Sequence, residues 1–298
     1  MNSTSLQCPV CNLNRLSPKP FGYNFNQKWL GAYECLQCGV IFIHPQPTKE
    51  ELKQLYSKKY FEGDFRCGHA GSYFDDKTID ELNDYKFLEK IKHYKSNGKL
   101  LEIGCAGGIF LNAARREGYE VYGVEYSNDA AELARNKFKL NVVTGELKEG
   151  MYQSDIFDVV FMGDVIEHLS DPLNTLKIIN STLKVSGILV IVCPMQTNTI
   201  FSRLGFMLYK IIQKKATVHL PPYHLFEYRP KSLSWLFQIA GFKIIKVDQS
   251  TIRPDKISLR GPIYQRVFKK VFQYPNFAVT KVFNLFGDRI EIFAVKEN

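Results

Sequence analysis

The stretch Leu100-Leu101-Glu102-Ile103-Gly104-Cys105-Ala106-Gly107-Gly108 decides the fold of this chain. An apolar run holding one acid ends abruptly in small residues. The pattern predicts a buried strand at 100–103, a tight turn, and a helix from Gly108 to Arg116 closed by Gly118. Small side chains let the turn backbone approach a ligand, and the N–H groups of a helix start point at it. Glycines alone fit a plain β-to-α turn equally well, so the flanking sequence has to decide.

Outward from this turn, short apolar runs alternate with helical periodicity. Strands are predicted at 121–124, 140–143, 157–162, 187–193, 242–247 and 289–295, and helices at 80–94, 129–138, 171–183, 200–213 and 230–240. Asp171-Pro172 opens the helix at 171 with proline at its first position. Uniformly apolar strands read as buried on both faces, hence parallel. The alternation predicts an α/β fold, a Rossmann-like open sheet with right-handed crossovers. Residues 46–78 read as irregular, and 253–286 as basic, aromatic and broken at Pro275.

A dinucleotide fingerprint starting at Gly104 needs glycine at position 109, which is Ile109. The spacing here is Gly104-x-Ala106-x-Gly108, with Glu102 two residues upstream. An acid there sits badly beside a pyrophosphate and well beside an amino group or sulfonium. Glu125 ends the next strand, 21 residues after Gly104, the length of one βαβ unit. At that strand tip a carboxylate can accept both hydroxyls of a ribose.

With Glu125 placed, residues 101–108, 123–127 and 157–172 together resemble the class I S-adenosylmethionine-dependent methyltransferases. The resemblance covers about 98–249 and 289–295. It implies a seven-stranded, mostly parallel sheet whose last strand is antiparallel. It also implies that Gly104, Ala106 and Gly108 line the methionine and ribose portion and that Glu102 lies near the amino group. Glu125 would take the ribose, Glu146 the adenine, and Gly163 and Asp164 would face the cofactor. Ala106 departs from the commoner glycine. The family often folds aromatics over the cofactor, and Tyr60-Phe61 and Tyr73-Phe74 are the candidates, Tyr73 first.

Cys8-x2-Cys11 and Cys35-x2-Cys38 have the spacing of a closed four-thiolate zinc site, and Gly39 suits a metal knuckle. The unit resembles a zinc ribbon. Such ribbons precede the methyltransferase domain in sugar C-methyltransferases and in some ribosomal RNA guanine methyltransferases. Seven cysteines, an odd number, argue against a disulfide scaffold. The polar start Met-Asn-Ser-Thr-Ser and the lack of a long apolar run give the expectation of a cytoplasmic protein without a transmembrane segment.

Methyl transfer to a hydroxyl or carbon acid needs a base. His224, in the loop 219–226, is the first candidate, since related enzymes carry a loop histidine near the acceptor; His168 is the second. Pro221-Pro222-Tyr223 does not follow the fourth strand, where a base amino-methyltransferase motif belongs. Cys193-Pro194 ends the fifth strand and reads as buried rather than nucleophilic.

The expected organisation is a ribbon at 1–47, a linker and cofactor-covering helical segment at 48–97, and a methyltransferase domain at 98–298. Lid segments are expected at about 197–228 and 253–286. The expected function is methylation of a small polar metabolite, a sugar or nucleotide sugar, at oxygen or carbon. The net charge of +9 keeps an RNA methyltransferase as the alternative. A module that binds but does not catalyse is the other. The basic aromatic segments leave a peripheral membrane contact open, and the oligomeric state is not readable.

Overall fold

The computed structural model describes residues 6–56, 86–212, 215–218, 221–254 and 263–297. The chain begins with three antiparallel strands, β1 (Leu16–Phe25), β2 (Lys28–Cys35) and β3 (Ile41–His44). The cysteine pairs sit in turns before β1 and between β2 and β3. Helix α1 (Lys49–Leu55) follows, where the sequence reading had an irregular stretch. Its signal was legible: Thr48 and Glu51 form a reciprocal capping box, which satisfies two amides the first turn leaves unpaired.

Helix α2 (Lys86–Tyr94) leads into alternating elements. These are β4 (Gly98–Ile103), α3 (Ile109–Arg116), β5 (Tyr119–Glu125), α4 (Asn128–Phe138), β6 (Val142–Thr144), β7 (Phe157–Gly163), α5 (Pro172–Thr182) and β8 (Leu183–Pro194). Then come α6 (Ile200–Ile211), β9 (Ala216–Val218), β10 (Phe226–Glu227) and α7 (Pro230–Ile239). The described chain closes with β11 (Phe242–Ser250), α8 (Ile263–Phe283) and β12 (Arg289–Lys296).

The main sheet has seven strands in the order β11-β12-β8-β7-β4-β5-β6. The central pairings are parallel, and β12 runs antiparallel to both neighbours, as the resemblance implied. Successive side chains of a strand point to opposite faces. Leu101, Val160 and Leu189 therefore join one core with α5 and α7, while Leu100, Val159 and Val190 join the other with α2 and α3. The first core continues without a break into the ribbon, through Leu225, Phe226 and Tyr228 to Ile41 and Ile43. Burying each of those large side chains contributes about 1.5–3 kcal/mol.

Two further features depart from the sequence reading. The segment after β8 does not only cover the sheet end. Its β9 pairs with β1 and its β10 with β3, which completes a five-stranded ribbon sheet, β10-β3-β2-β1-β9. Strands of two or three residues leave almost no periodic signal. Second, α8 runs on through Pro275 rather than breaking there. Proline removes one helix hydrogen bond. Here the adjacent Asn276, fully buried, accepts from the Ile200 amide (3.1 Å) and donates to the Phe286 carbonyl (3.1 Å), and these bonds anchor the far half.

Candidate active site

The loop after β4 turns back through three left-handed residues, Gly104 (φ +71°), Ala106 (φ +46°) and Gly108 (φ +78°). Each glycine has a packing reason as well. A Cβ on Gly104 would stand 2.3 Å from Val165 Cγ2, and one on Gly108 would stand 2.6 Å from Leu140 Cδ1. Bare backbone lets the loop after β7 and helix α4 close on this turn. Ala106 takes a conformation that costs an L-residue about 1–2 kcal/mol. Its amide donates to Glu125 Oε2 at 2.8 Å, which holds it there.

Glu125 ends β5, and its other oxygen accepts from the Ser127 amide at 2.8 Å. The carboxylate thus clips the glycine loop to the start of α4. It is buried, and burial raises its pKa above the usual carboxylate range. Glu102, one strand away, is buried too, and its Oε2 has no hydrogen-bond partner. Burial, and then the Glu125 charge, push Glu102 well above its ordinary value. Two buried acids face one loop, and neither makes a salt bridge among the described residues. An unpartnered buried carboxylate is costly unless a ligand completes it. A cationic ligand fits this pair, and a pyrophosphate would be repelled by it.

Beside this pair, at the ends of β5 and β6, lies a cavity of about 670 Å³ lined by Tyr126, Ser127, Gly145 and Glu146. Glu146, the residue expected at the adenine, lines this cavity. Helix α1 closes the other wall with Lys49, Lys53 and Tyr56, none of which the sequence reading singled out. Tyr73 and Tyr60-Phe61 fall outside the described residues. Gly163 ends β7. Asp164 follows at φ +55°, and both its oxygens take Arg289 Nη2 of β12, at 2.7 and 2.9 Å. Arg289 is a site residue missed from sequence, because 125 residues separate the partners.

The structure brings the two candidate bases together. The His168 and His224 rings lie 5.0 Å apart, and Glu167 joins them with one ligand atom from each within 4.8 Å. His168 sits in a 3-10 turn after β7 rather than in a full helix. Its Nδ1 lies 2.6 Å from the Tyr223 carbonyl and 2.9 Å from the Tyr56 hydroxyl. An Nδ1–H bond to that carbonyl leaves Nε2 as the lone-pair nitrogen. Burial, reinforced by His224, lowers His168 to about 3, so its ring is neutral at pH 7. His224 behaves oppositely. Burial works against its charge, but Glu227 Oε1 at 3.3 Å from Nδ1, then Glu167, hold its proton up to about 9. Glu167 is buried, with neither oxygen hydrogen-bonded and Oε1 3.6 Å from His168 Nε2, and burial raises it to about 8. Tyr56 links the two halves of the site, since it lines the cavity and also contacts His168.

The four ribbon cysteines converge. Their sulfurs all lie within 4.8 Å of one another, with Cys8–Cys38 at 3.7 Å and Cys11–Cys35 at 3.5 Å. Tetrahedral zinc with bonds of about 2.3 Å spaces its sulfurs by about 3.8 Å. The Val10 amide donates to Cys8 Sγ, and Gly39 at φ +80° turns the second knuckle. The donor set and its geometry fit a zinc ion.

A methyltransferase-domain family model matches residues 76–247, more than half of the chain. The chain belongs to this methyltransferase family. Among curated relatives, a ubiquinone biosynthesis O-methyltransferase from Actinobacillus pleuropneumoniae is 29% identical over 127 residues. That match covers 38% of this chain and about half, 53%, of the relative. A demethylmenaquinone methyltransferase from Staphylococcus saprophyticus is 29% identical over 184 residues, 56% of this chain and 79% of the relative. Among solved structures, an S-adenosylmethionine-dependent methyltransferase from Archaeoglobus fulgidus superposes with a TM-score of 0.52. It is 23% identical and spans 80% of this chain and 97% of its own. A [4+2]-cyclase, SpnF, reaches a TM-score of 0.55 at 15% identity, over 85% of this chain and 98% of its own. These two share the fold of this family member. Among its described residues no helix is long and apolar enough to cross a membrane.

Proposed function

We propose that this chain binds S-adenosylmethionine and methylates a small molecule, first at a hydroxyl. The observation that carries the reading is the buried Glu102, whose Oε2 has no hydrogen-bond partner, next to Glu125 clamped on the same tight loop. S-adenosylmethionine offers an ammonium, a ribose with two hydroxyls and an electrophilic methyl on a sulfonium. Glu102 would hold the ammonium, Glu125 the ribose, Glu146 the adenine end, and Gly104, Ala106 and Gly108 the path between. Gly163 and Asp164 flank the methyl end. The names of the quinone-pathway relatives favour an oxygen acceptor. The sugar or nucleotide-sugar expectation rests on the ribbon alone and becomes one class within the acceptor panel.

His224 is the proposed base. Glu227 holds Nδ1–H, which fixes Nε2 as the nitrogen that takes the acceptor proton. His168, neutral and tied to Tyr223 and Tyr56, positions the loop rather than accepting that proton. Cys8, Cys11, Cys35 and Cys38 would hold structural Zn2+. Thiolate zinc needs a reducing compartment, so the cytoplasm is the proposed location.

Calorimetry with S-adenosylmethionine tests the cofactor, and release of S-adenosylhomocysteine over a panel of phenols, sugars and nucleotide sugars tests transfer. No binding, or binding unchanged in Glu102→Gln and Glu125→Ala, sinks the cofactor reading. Binding without turnover on any acceptor favours a module, or the other chemistry that the cyclase fold neighbour represents. Turnover on RNA alone would replace the small-molecule acceptor.

A further inference from the structure

The chain's positive charge is not spread over it. Residues 197–226 and 249–287 together hold eleven lysines and arginines and one acid, Asp255. The other 229 residues hold 28 basic against 29 acidic side chains. The whole net charge of +9 therefore belongs to two segments that the main sheet does not need. Their helices α6 and α8 pack on each other. Phe201 and Phe272 rings lie 5.6 Å apart, and the buried Asn276 side chain accepts from the Ile200 amide.

Both helices leave an apolar row in solvent. On α6 the row is Leu204, Met207, Leu208 and Ile211, 48–68% exposed, at the i, i+3, i+4, i+7 spacing of one helix face. On α8 it is Val267, Val271, Tyr274 and Val282, 57–71% exposed, again one face, with Phe283 and Leu285 beyond it. An exposed apolar row along a helix marks a docking site. Soluble helices normally turn such rows inward; α6 instead turns Phe206 inward, onto Phe21 of the ribbon.

We propose that the α6–α8 face is a docking surface for an anionic lipid membrane. The charge argues for this occupant. A second copy would bring two equally cationic segments against these, and a nucleic acid would have no use for two apolar rows. An anionic bilayer answers both features, taking apolar side chains at the headgroup boundary and lysines at the phosphates.

The test is co-sedimentation of the full, zinc-loaded chain with vesicles of 70:30 phosphatidylcholine and phosphatidylglycerol, and with pure phosphatidylcholine. Binding to the anionic vesicles is expected, at least tenfold stronger than to neutral ones, and weakening at least tenfold from 0.1 to 0.5 M salt. Leu208→Glu with Ile211→Glu, and separately Val271→Glu with Val282→Glu, should each lower partition about tenfold or more. Val185→Glu, at an exposed apolar residue of β8, should leave it unchanged. Circular dichroism checks that each variant folds, and replacement of single members of a row covers any that does not. No binding to anionic vesicles overturns the proposal. So does partition indifferent to the row substitutions, a dimer that those substitutions dissolve, or tighter binding to a 40-nucleotide RNA that they do not affect.

Discussion

Replacing Glu227 with glutamine should move the pH dependence of methyl transfer by about two units and cross the two rate profiles. His224 rises from 6.5 to about 9 although burial pulls it down. The net rise is worth about 3 kcal/mol. Three carboxylates supply it. Glu227 alone is hydrogen-bonded to the ring, Glu167 faces it without a bond, and the charge of Asp164 is offset by Arg289. More than half of the effect therefore belongs to Glu227, and Glu227→Gln should leave His224 near 7. At pH 7 the neutral fraction then rises from about 1% to about 50%, while at pH 10 the variant works with a weaker base and falls behind. The linkage has a matching sign. A raised histidine pKa contributes stability that is full below 6.5 and lost as pH climbs to about 9. The His224 contribution, up to about 3 kcal/mol in the wild type, should shrink to under about 1 kcal/mol in the variant, while the loss from Glu167, raised to about 8, is common to both. Single-turnover rates from pH 6 to 10 and urea melts over the same range read both effects. An ascending limb that stays in place in Glu227→Gln, or a wild-type limb at 6.5, would refute the assignment of His224 as a carboxylate-held base.

Glu125→Gln should raise the S-adenosylmethionine Kd by about 10- to 100-fold in calorimetry, because the charged acceptor is lost and one clamped amide faces an amide NH2. Gly104→Ala should cost about 2–4 kcal/mol in urea melts, from the left-handed φ together with a 2.3 Å contact on Val165. His168 carries a lowered pKa of about 3, so its stability is full above 6.5 and lost as pH falls through 3. His168→Asn should flatten that acid limb, which is worth up to about 5 kcal/mol, in melts between pH 3 and 7.

The sheet was legible in the sequence because most of its strands carry long apolar runs, and the three-residue β6 was found from its place in the alternation of strands and helices. The glycine loop was legible because its spacing excludes one cofactor class. What escaped was non-local. Asp164 and Arg289 meet only once β12 has inserted beside β8. Tyr56 reaches His168 across 112 residues, from a helix whose capping box was overlooked. The two histidines were chosen singly; that burial would drain one and carboxylates load the other depends on neighbours no spacing rule supplies. β9 and β10 escaped because two or three residues hold no period.

Those short strands give the ribbon a purpose beyond stability. Leu225, the residue after His224, is held on both sides. Its carbonyl accepts from the Ile43 amide of β3 (3.1 Å), and its amide donates to the Glu167 carbonyl (2.9 Å). Phe226 then pairs with Phe42. The proposed zinc site thus fixes β3, β3 fixes β10, and β10 sets the proposed base against the turn that carries Glu167 and His168. The proposed cofactor residues Glu102 and Glu125 lie on strands of the other sheet, with Gly104 in the loop after β4, and none of them lies on this path. Cys35→Ser should therefore abolish the proposed binding of one zinc per chain, read by mass spectrometry. It should lower kcat at least tenfold and displace the His224 limb, while the S-adenosylmethionine Kd changes by less than about threefold. Loss of zinc with kcat intact would reduce the ribbon to a stabilising appendage. An equal loss of cofactor affinity would mean that the two sheets unfold together.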